Sequence, residues 1–352
     1  MSDFYLDSIE LLKSMIAIPA LSKDEASRAD FLEAEFKRFG LNPNRFLNNI
    51  WIKNTYFDEV KPTLLLNSHV DTVKPNTGYT RDPFAVEEVN GKIYGLGSND
   101  AGASVVSLFA LFRHFSGQKN LKYNLVYAVT AEEEISGANG IEALLKELPH
   151  VDSAIVGEPT GMQMAVAEKG LLVLDCVAHG RSGHAAREEG ENAIYKAMED
   201  LHWFQNYRFE KISPLLGPNK MSVTMIQSGT QHNVVPAECK FTVDVRLNEL
   251  YNFDSVLRLI GEKVRSEVKA RSMRIKSTSI PLDHPLVTSG LSLGLSHYGS
   301  PTTSDKALMP FPALKIGPGE SSRSHTADEF VLVSEIKNGI DLYIALLTKC
   351  LI

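Results

Sequence analysis

Residues 63–71 read TLLLNSHVD, an apolar run that ends in a histidine and an aspartate. A short apolar run of this kind is typical of a strand buried inside a sheet. Two similar runs follow at 125–129 and 154–156, and helical patterns at 101–115 and 141–148 separate the three. Strands that alternate with helices predict an α/β fold, with helices on both faces of a central sheet. In such sheets, chemistry collects in the loops that follow the strand ends.

After residue 170 the patterns follow a different order. Strands and helices are predicted there in the order βαββαβ, at 171–178, 192–204, 221–226, 240–246, 253–268 and 274–279. This order is that of a compact, ferredoxin-like two-layer unit. The chain then returns to its earlier style with a strand and a helix. We therefore predict one domain formed by residues 1–170 and 281–352, and a second domain, residues 171–280, inserted into it.

Composition narrows the class of protein. The chain has 352 residues, 43% of them hydrophobic, which is enough for two cores. Its net charge of -7, without a basic run, argues against a nucleic-acid partner. No stretch approaches the roughly 18 apolar residues of a membrane span, and the acidic start lacks the basic region of a signal peptide. Three cysteines without a pairing motif suit a reducing compartment, so we expect a cytoplasmic protein.

Potential metal ligands follow the predicted strands. His69 and Asp71 are two residues apart, so on an extended chain their side chains point the same way. His69 could bind a metal ion while Asp71 orients its ring, although a satisfied polar pair is the simpler alternative. Asp100 lies between a glycine-rich loop and a predicted helix start. It could cap that helix, bridge two metal ions, or do both.

The later segments add carboxylates and a second histidine. Three consecutive acids, 132–134, end an apolar strand, and Glu158 follows another. His325 follows a loop rich in Gly, Pro and Ser. A solvated charge run, a turn residue and a surface histidine are the ordinary alternatives, but a nearby dication can hold several carboxylates together. The combined candidates contain no cysteine and suit two ions of zinc, cobalt or manganese: His69, Asp100, Glu134, Glu158 and His325.

Five short motifs resemble those of the M20 family of co-catalytic zinc amidohydrolases. They are SHVDTV at 68–73, NDAGA at 99–103, the acidic pair at 133–134, GEPT at 157–160 and HTADEF at 325–330. The resemblance covers essentially the whole chain and is greatest to the acetylornithine deacetylase and succinyl-diaminopimelate desuccinylase branch. It implies a di-zinc catalytic domain with a central mixed sheet, and an inserted domain that forms a lid and a homodimer contact.

Carried over residue by residue, the resemblance implies two zinc sites that share Asp100. His69 and Glu158 would complete one site, and Glu134 with His325 would complete the other. The family usually has Asp-Glu-Glu where this chain has three glutamates, and the last two align with the functional pair.

The resemblance also implies roles beyond the metal ligands. Glu133 would be the general base for a metal-bound hydroxide that attacks an amide carbonyl, and Asp71 would support the zinc-bound histidine. In the inserted domain His184, Asn233 and Arg246 match family positions for oxyanion and substrate contacts, with His184 reaching the partner subunit's site. A loop histidine, a turn asparagine and a surface arginine are the ordinary alternatives.

The resulting functional prediction is hydrolysis of the amide bond of an N-acyl amino acid. N-acetyl- or N-succinyl-ornithine, as used in arginine biosynthesis, is the preferred substrate by overall likeness. The alternatives are a succinyl-diaminopimelate desuccinylase, a metallo-dipeptidase or an aminoacylase, and, from another class, a non-catalytic ligand-binding relative. The segment TTSDKALMP, at 302–310, occupies the stretch where side-chain recognition is expected, but it predicts no particular substrate.

Overall fold

The computed structural model describes residues 4–351 and divides the chain into two compact units. Unit 1 comprises the chain up to Val166, Ser279–Tyr298, and the chain from Ser304 onwards. Unit 2 comprises Ala167–Thr278 and the short piece Gly299–Thr303. Unit 2 therefore begins before the predicted domain start at residue 171.

The helices and strands of residues 4–351 are numbered in chain order. The α-helices are α1 Phe4–Ile16, α2 Ala26–Arg38, α3 Ala103–Phe115, α4 Ile141–Leu144, α5 Ala193–Asn206, α6 Phe253–Lys263, α7 Pro285–Ser292 and α8 Val333–Leu351. The strands are β1 Asn44–Phe46, β2 Asn49–Lys53, β3 Thr63–His69, β4 Glu87–Val89, β5 Lys92–Tyr94, β6 Asn124–Thr130, β7 Ser153–Val156, β8 Met164–Glu168, β9 Gly170–His179, β10 Gly183–His184, β11 Lys220–Ser228, β12 Val234–Val235, β13 Glu238–Leu247, β14 Glu267–Ala270, β15 Thr278–Ser279, β16 His297–Ser300, β17 Ala313–Lys315 and β18 Phe330–Leu332.

The large sheet is mixed, which confirms the predicted α/β fold. Its strand order is β1-β2-β6-β3-β7-β17-β8-β15, with β16 paired to β8. Strand β3 is parallel to both β6 and β7, and β17 is parallel to β7. Strand β2 is antiparallel to β6, and β17 is antiparallel to β8. The carboxyl ends of β6, β3 and β7 therefore meet at one edge, with β3 in the middle.

Alternating residues of β3 pack into cores on opposite faces of this sheet. Leu64 and Leu66 join a large apolar core that also receives α1, α2, α3 and α8. Leu65 points the other way, into a smaller core that contains Ile141 and Leu144 of α4. Because side chains alternate along a strand, a continuous apolar run is buried on both faces. The interpretation of 63–66 as an interior strand is confirmed.

Unit 2 is built on a four-stranded antiparallel sheet with the order β11-β13-β9-β14. Helices α5 and α6 contribute to its apolar core, which includes Phe204 and Ile260. With the short β10 and β12 set aside, the chain order is β9-α5-β11-β13-α6-β14, the predicted βαββαβ.

Two details of the prediction in this part of the chain were wrong. Helix α6 stops at Lys263, because Val264 is extended, and the last strand of the sheet is Glu267–Ala270 rather than 274–279.

In unit 1 the helix predicted at 141–148 is regular only over Ile141–Leu144. Among residues 4–351, no helix has the length and hydropathy required to cross a bilayer.

Candidate metal centre

Three adjacent parallel strands deliver the first candidate residues to one edge of the sheet. His69 is the last residue of β3. Glu133 and Glu134 follow the end of β6, and Glu158 follows the end of β7. This convergence is the usual consequence of parallel neighbours, whose carboxyl ends share an edge.

Two loops complete the cluster. Asp100 lies in the turn that precedes α3, and His325 lies in the loop before β18. Asp100 does not cap α3, because Gly102 occupies the position before that helix. His325 adopts a left-handed backbone conformation, with φ of 61°. The cluster therefore draws on five separate segments of unit 1.

The carboxylate of Asp100 lies between the two histidines. Its Oδ1 is 3.2 Å from Nε2 of His69, and its Oδ2 is 3.7 Å from Nε2 of His325. Glu134 Oε2 is 2.9 Å from the same His325 nitrogen, and Glu158 Oε1 is 3.8 Å from Nε2 of His69. Each histidine therefore faces Asp100 and one further carboxylate.

Glu133 occupies a distinct position in the cluster. Its Oε2 lies 4.0 Å from Nε2 of His69. Ligand-type atoms of His69, Glu133 and Glu158 lie within 4.8 Å of one another, as do those of His69, Asp100 and Glu134. Glu133 is thus near the candidate ligands, but it takes no part in the two contacts that surround His325.

Carboxylates control the charge of both histidines. Burial lowers the pKa of His69, but hydrogen bonds with Asp100 and Asp71 outweigh burial and hold that pKa well above its usual value. The hydrogen bond with Glu134 raises the pKa of His325 to about 9. Both imidazoles therefore bind a proton more readily than an ordinary histidine, because carboxylates surround them.

The surroundings of Glu133 favour its uncharged form. Burial raises its pKa well above the usual value for a glutamate. The charge of His69 opposes this shift, while the negative charges of Glu158, Asp305 and Glu134 reinforce it. A buried carboxyl group with a raised pKa accepts a proton more readily than an ordinary glutamate, as a general base must.

The donor set suits divalent metal ions. Two imidazole nitrogens face three carboxylates across 2.9–3.8 Å, and no cysteine of the chain belongs to the cluster. Mixed imidazole and carboxylate ligands favour zinc, cobalt or manganese over soft metals. Concentrated carboxylates repel one another, and dications relieve that repulsion. Asp100, which faces both histidines, has the arrangement of a bridging ligand.

Asp71 contacts both His69 and the turn that carries the two glutamates. The ring Nδ1–H of His69 donates to the main-chain oxygen of Asp71 at 3.0 Å. Its carboxylate accepts the main-chain N–H groups of Glu133 and Glu134, at 3.0 and 3.2 Å, and the hydroxyl of Ser22 at 2.6 Å. The expected orienting contact to the ring is longer, at 3.5 Å. The carboxylate therefore mainly holds the turn that carries the two glutamates.

Glu132, the first acid of the triplet, points away from this cluster. It adopts a left-handed conformation with φ of 57°, and its carboxylate accepts N–H groups from Asn139 at 2.8 and 3.3 Å. The left-handed residue turns the chain, so that Glu133 and Glu134 face the histidines instead. The alignment of the functional pair with Glu133 and Glu134 stays a prediction.

Three buried charged residues beneath the centre escaped the sequence analysis. Asp305 accepts hydrogen bonds from Asn67 at 3.0 Å and Thr130 at 2.7 Å, and burial raises its pKa to about 6. Glu329 accepts main-chain N–H groups from the loop that carries Asp100, and burial raises its pKa to about 7. Asp305 lies in the segment TTSDKALMP and Glu329 in the motif HTADEF. Nothing else in the sequence indicated a role for either residue.

The third of these residues is Arg28 of α2. Its guanidinium donates to the main-chain oxygens of Ile18 and Val70, and burial lowers its pKa to about 10 while the charges of Asp71 and Glu329 oppose that shift. A lone arginine in a helix gives no sequence signal for such a role.

A comparison with protein-family models matches residues 65–349 to peptidase family M20/M25/M40. The chain belongs to this family. Its homologues include deacetylases and desuccinylases, and it is itself a metallo-hydrolase of the amidohydrolase type. A succinyl-diaminopimelate desuccinylase of Wolbachia pipientis is 24% identical, covering 96% of this chain and 92% of the relative. An acetylornithine deacetylase of Shigella sonnei is 29% identical, covering 96% of both chains.

Solved structures of M20 proteins share the fold. A metallo-carboxypeptidase from Sulfolobus solfataricus superposes with a TM-score of 0.77 at 17% identity, covering 99% of both chains. The YXEP protein of Bacillus subtilis, described as a dinuclear metal-binding peptidase, gives a TM-score of 0.68 at 16% identity, again covering 99% of both chains. At these identities the likeness establishes the architecture.

The remaining M20 candidates lie in unit 2. Exposed His184 lies in β10 opposite Val234 of β12, and the N–H of Ala185 donates to the main-chain oxygen of Asn233 at 3.0 Å. His184 and Asn233 therefore lie at one short antiparallel ladder. Arg246 lies near the end of β13, on the larger sheet of the unit.

The guanidinium of Arg246 is already fixed by two neighbours. It donates to both carboxylate oxygens of Asp244, at 2.8 and 3.0 Å, and to the hydroxyl of Thr303 at 2.8 Å. Such contacts hold the planar group in one orientation, as recognition of a substrate carboxylate would require.

Proposed function

We propose that the cluster in unit 1 binds two divalent metal ions and hydrolyses the amide bond of an N-acyl amino acid. The observation that carries this proposal is the placement of Asp100, whose two carboxylate oxygens face different histidines. His69 and Glu158 would complete the ligand set on one side, and Glu134 and His325 on the other. Zinc is the proposed metal, with cobalt or manganese as substitutes.

The chain supplies the proton transfers. Bound dications would supply Lewis-acid chemistry, which polarises a scissile carbonyl and makes an attacking water more acidic. Glu133 is the proposed general base, because its carboxyl group lies 4.0 Å from the ring of His69 outside the proposed ligand set. It would take a proton from the water and deliver it to the leaving amine. Asp71 fixes the main chain of Glu133, so the base stays aimed at the reacting atoms.

The proposed substrate is N-acetyl- or N-succinyl-ornithine. Relatives that span nearly the whole chain carry the names acetylornithine deacetylase and succinyl-diaminopimelate desuccinylase. Both names describe removal of a small acyl group from an amino acid that also carries a free carboxylate. Arg246 is the proposed partner of that carboxylate, and Asn233 a further substrate contact.

A homodimer formed through unit 2 belongs to the same proposal. Strand β11 is an edge strand, and it exposes Val223, Met225 and Ile226. Tyr195 and Met198 of α5 are also exposed, and Met198 lines a groove together with Val223 and Ile226. An open sheet edge with adjacent apolar side chains is commonly covered by a second copy of itself. We propose that His184 serves the partner subunit's active site as an oxyanion donor.

A hydrolysis screen tests the substrate proposal. Purified protein loaded with zinc, cobalt or manganese would be offered N-acetylornithine, N-succinylornithine, N-succinyl-diaminopimelate, an N-acetylated neutral amino acid and a dipeptide. Release of the free amine from an ornithine derivative, with kcat/KM at least tenfold above the other substrates, is expected. The matched control is Glu133→Gln, which keeps the side-chain shape and removes the base. Hydrolysis of the dipeptide alone would replace the deacylase proposal by an exopeptidase.

A further inference from the structure

Glu329 is a buried carboxylate that accepts three hydrogen bonds from one loop. Its Oε1 accepts the main-chain N–H groups of Asn99 and Asp100, at 2.8 and 2.9 Å, and its Oε2 accepts that of Gly97 at 3.1 Å. The main-chain oxygen of Glu329 accepts a fourth bond, from the N–H of Gly95 at 3.0 Å. The side chain is almost completely shielded from solvent. The three bonds satisfy neighbouring main-chain donors with one side chain, so this loop is held firmly.

Steric contacts at Gly97 also restrict the path of this loop. Gly97 has a φ of 77°, which favours glycine, and a Cβ atom there would lie 2.5 Å from Cγ2 of Thr72. The chain must therefore pass close to Thr72, in the segment after β3, before it reaches Asp100. The N–H of Asp100 is itself one of the three donors, so Glu329 fixes the main chain of the residue whose side chain faces both histidines.

The same segment carries His325 four residues earlier. His325 lies 3.7 Å from Oδ2 of Asp100, and Glu329 holds the main chain of Asp100 from the other side. The segment 325–329 thus contacts Asp100 twice, once through a candidate ligand and once through a residue that is not one. A displacement of either loop changes the separation of the ligands.

We propose that Glu329 is a positioning residue that sets the main chain of Asp100 for metal binding. This inference rests on the proposed assignment of Asp100 as the bridging ligand. Glu329 acts through hydrogen bonds to main-chain groups and binds no metal itself. Its removal would therefore lower metal affinity while all five proposed ligands remain in the chain.

The neighbouring acid supplies a matched control. Asp328 accepts hydrogen bonds from the main-chain N–H groups of Thr80 and Arg81, so it also ties a loop to this segment. That loop carries none of the proposed ligands. Asp328→Asn should therefore weaken a tie of the same segment to a neighbouring loop without changing the metal centre.

The experiment measures zinc affinity by competition with a chromogenic chelator, and the melting temperature of each protein in excess EDTA. In Glu329→Gln an amide NH2 group replaces one acceptor oxygen and faces a main-chain N–H group. At least one of the three hydrogen bonds is therefore lost. We expect zinc affinity to fall about 10–100-fold, the range typical of residues that support metal ligands, with Asp328→Asn unchanged. A folded Glu329→Gln protein with the zinc affinity of the unsubstituted chain, whatever its melting temperature, would overturn the inference.

Two further variants, Glu329→Asp and Asp100→Ala, separate the possible outcomes of the zinc-affinity measurement. If Glu329→Gln fails to fold, Glu329→Asp retains the charge but withdraws it by one methylene. Reduced zinc affinity in folded Glu329→Asp supports the inference, and unchanged affinity overturns it. Asp100→Ala tests the assignment beneath it. Zinc affinity unaffected in Asp100→Ala refutes the bridging ligand, whereas loss of zinc in Asp100→Ala with full affinity in Glu329→Gln refutes the role of Glu329 alone.

Discussion

Substitution of Asp71 by Asn offers a sharp test of how the glutamate turn is held. The carboxylate is fully buried and accepts from the N–H groups of Glu133 and Glu134 and from the hydroxyl of Ser22. Burial raises the pKa of Asp71, but its contacts with His69 outweigh burial and hold the pKa below the usual value, so the group is ionised at neutral pH. Asn replaces one acceptor oxygen by an amide that can only donate.

The expected magnitude follows from this count of acceptors. At least one main-chain N–H of the turn loses its acceptor and meets another donor instead. A hydrogen bond to a charged group contributes about 1.5–3 kcal/mol, and a buried unsatisfied donor costs a similar amount. We therefore expect Asp71→Asn to lower the free energy of unfolding of the metal-free protein by about 2–3 kcal/mol. Metal affinity or turnover should also fall about 10–100-fold, because the displaced turn carries a ligand and the base.

Urea unfolding in EDTA measures the first effect, and chelator competition with steady-state kinetics measures the second. Ser22→Ala is the matched control, since it removes only the hydroxyl donor and leaves both main-chain bonds to Asp71 intact. It should cost about 1 kcal/mol and leave zinc affinity and kcat near those of the unsubstituted protein. If Asp71→Asn behaves like Ser22→Ala in all three measurements, the turn does not depend on Asp71.

Four other outcomes are expected. Asp100→Ala should lose both metal ions, because it removes the shared carboxylate, and metal analysis that still finds two tightly bound ions would contradict the site. Glu133→Ala should keep its metal but lose about 10²–10⁴-fold in kcat, whereas Glu134→Ala should lose metal; the reverse pattern would place the base one residue later. Arg246→Lys should raise KM much more than it changes metal content, because an ammonium cannot grip a carboxylate with two parallel bonds, and an unchanged KM would remove Arg246 from the site. His184→Ala and Glu133→Ala should each be nearly inactive alone, yet regain activity when mixed subunits exchange; no recovery despite proven exchange would refute a contribution of His184 across a dimer.

The sequence was informative where a ligand ends an apolar strand. His69, Glu134 and Glu158 each follow a strand whose burial could be read from its composition, and the structure brings them to one edge of the sheet. Asp100 and His325 lie in loops where periodicity gives no signal. Their residue types beside glycine-rich segments pointed to them, and the family motifs supported both. Pattern and motif together therefore anticipated the cluster residue by residue.

The supporting residues were hidden because their partners are distant or belong to the main chain. Glu329 holds Asp100, which lies 229 positions away, and it accepts main-chain N–H groups, which every residue except proline possesses. Ser22 and Glu25 are three residues apart, which is the spacing of a capping box. In the structure Glu25 precedes α2 without a side-chain cap, and the hydroxyl of Ser22 donates to Asp71. Local spacing could not reveal that a buried carboxylate offers this hydroxyl a stronger partner.

Helix α6 shows a different failure of local patterns. The apolar spacing that marks its buried face continues through Val264 and Val268, so the predicted helix ran on to residue 268. The structure instead ends the helix at Lys263 and pairs Glu267–Ala270 with β9. Asp200 of α5 stabilises the bend by accepting the N–H groups of Arg265 and Ser266, at 3.0 and 2.9 Å. That contact comes from another helix and is invisible in the segment itself.

The position of β17 has a consequence for the newly made chain. This strand lies between β7 and β8 in the large sheet, yet it is translated long after both. At about 5–20 residues per second, roughly ten to thirty seconds separate synthesis of β7 from that of β17. During this interval the hydrogen-bonding edge of β7 has no final neighbour, and nascent chains on one message could pair through it. Expression at lower temperature or with a chaperone that shields strand edges should therefore improve the yield of folded protein more than changes near the amino terminus.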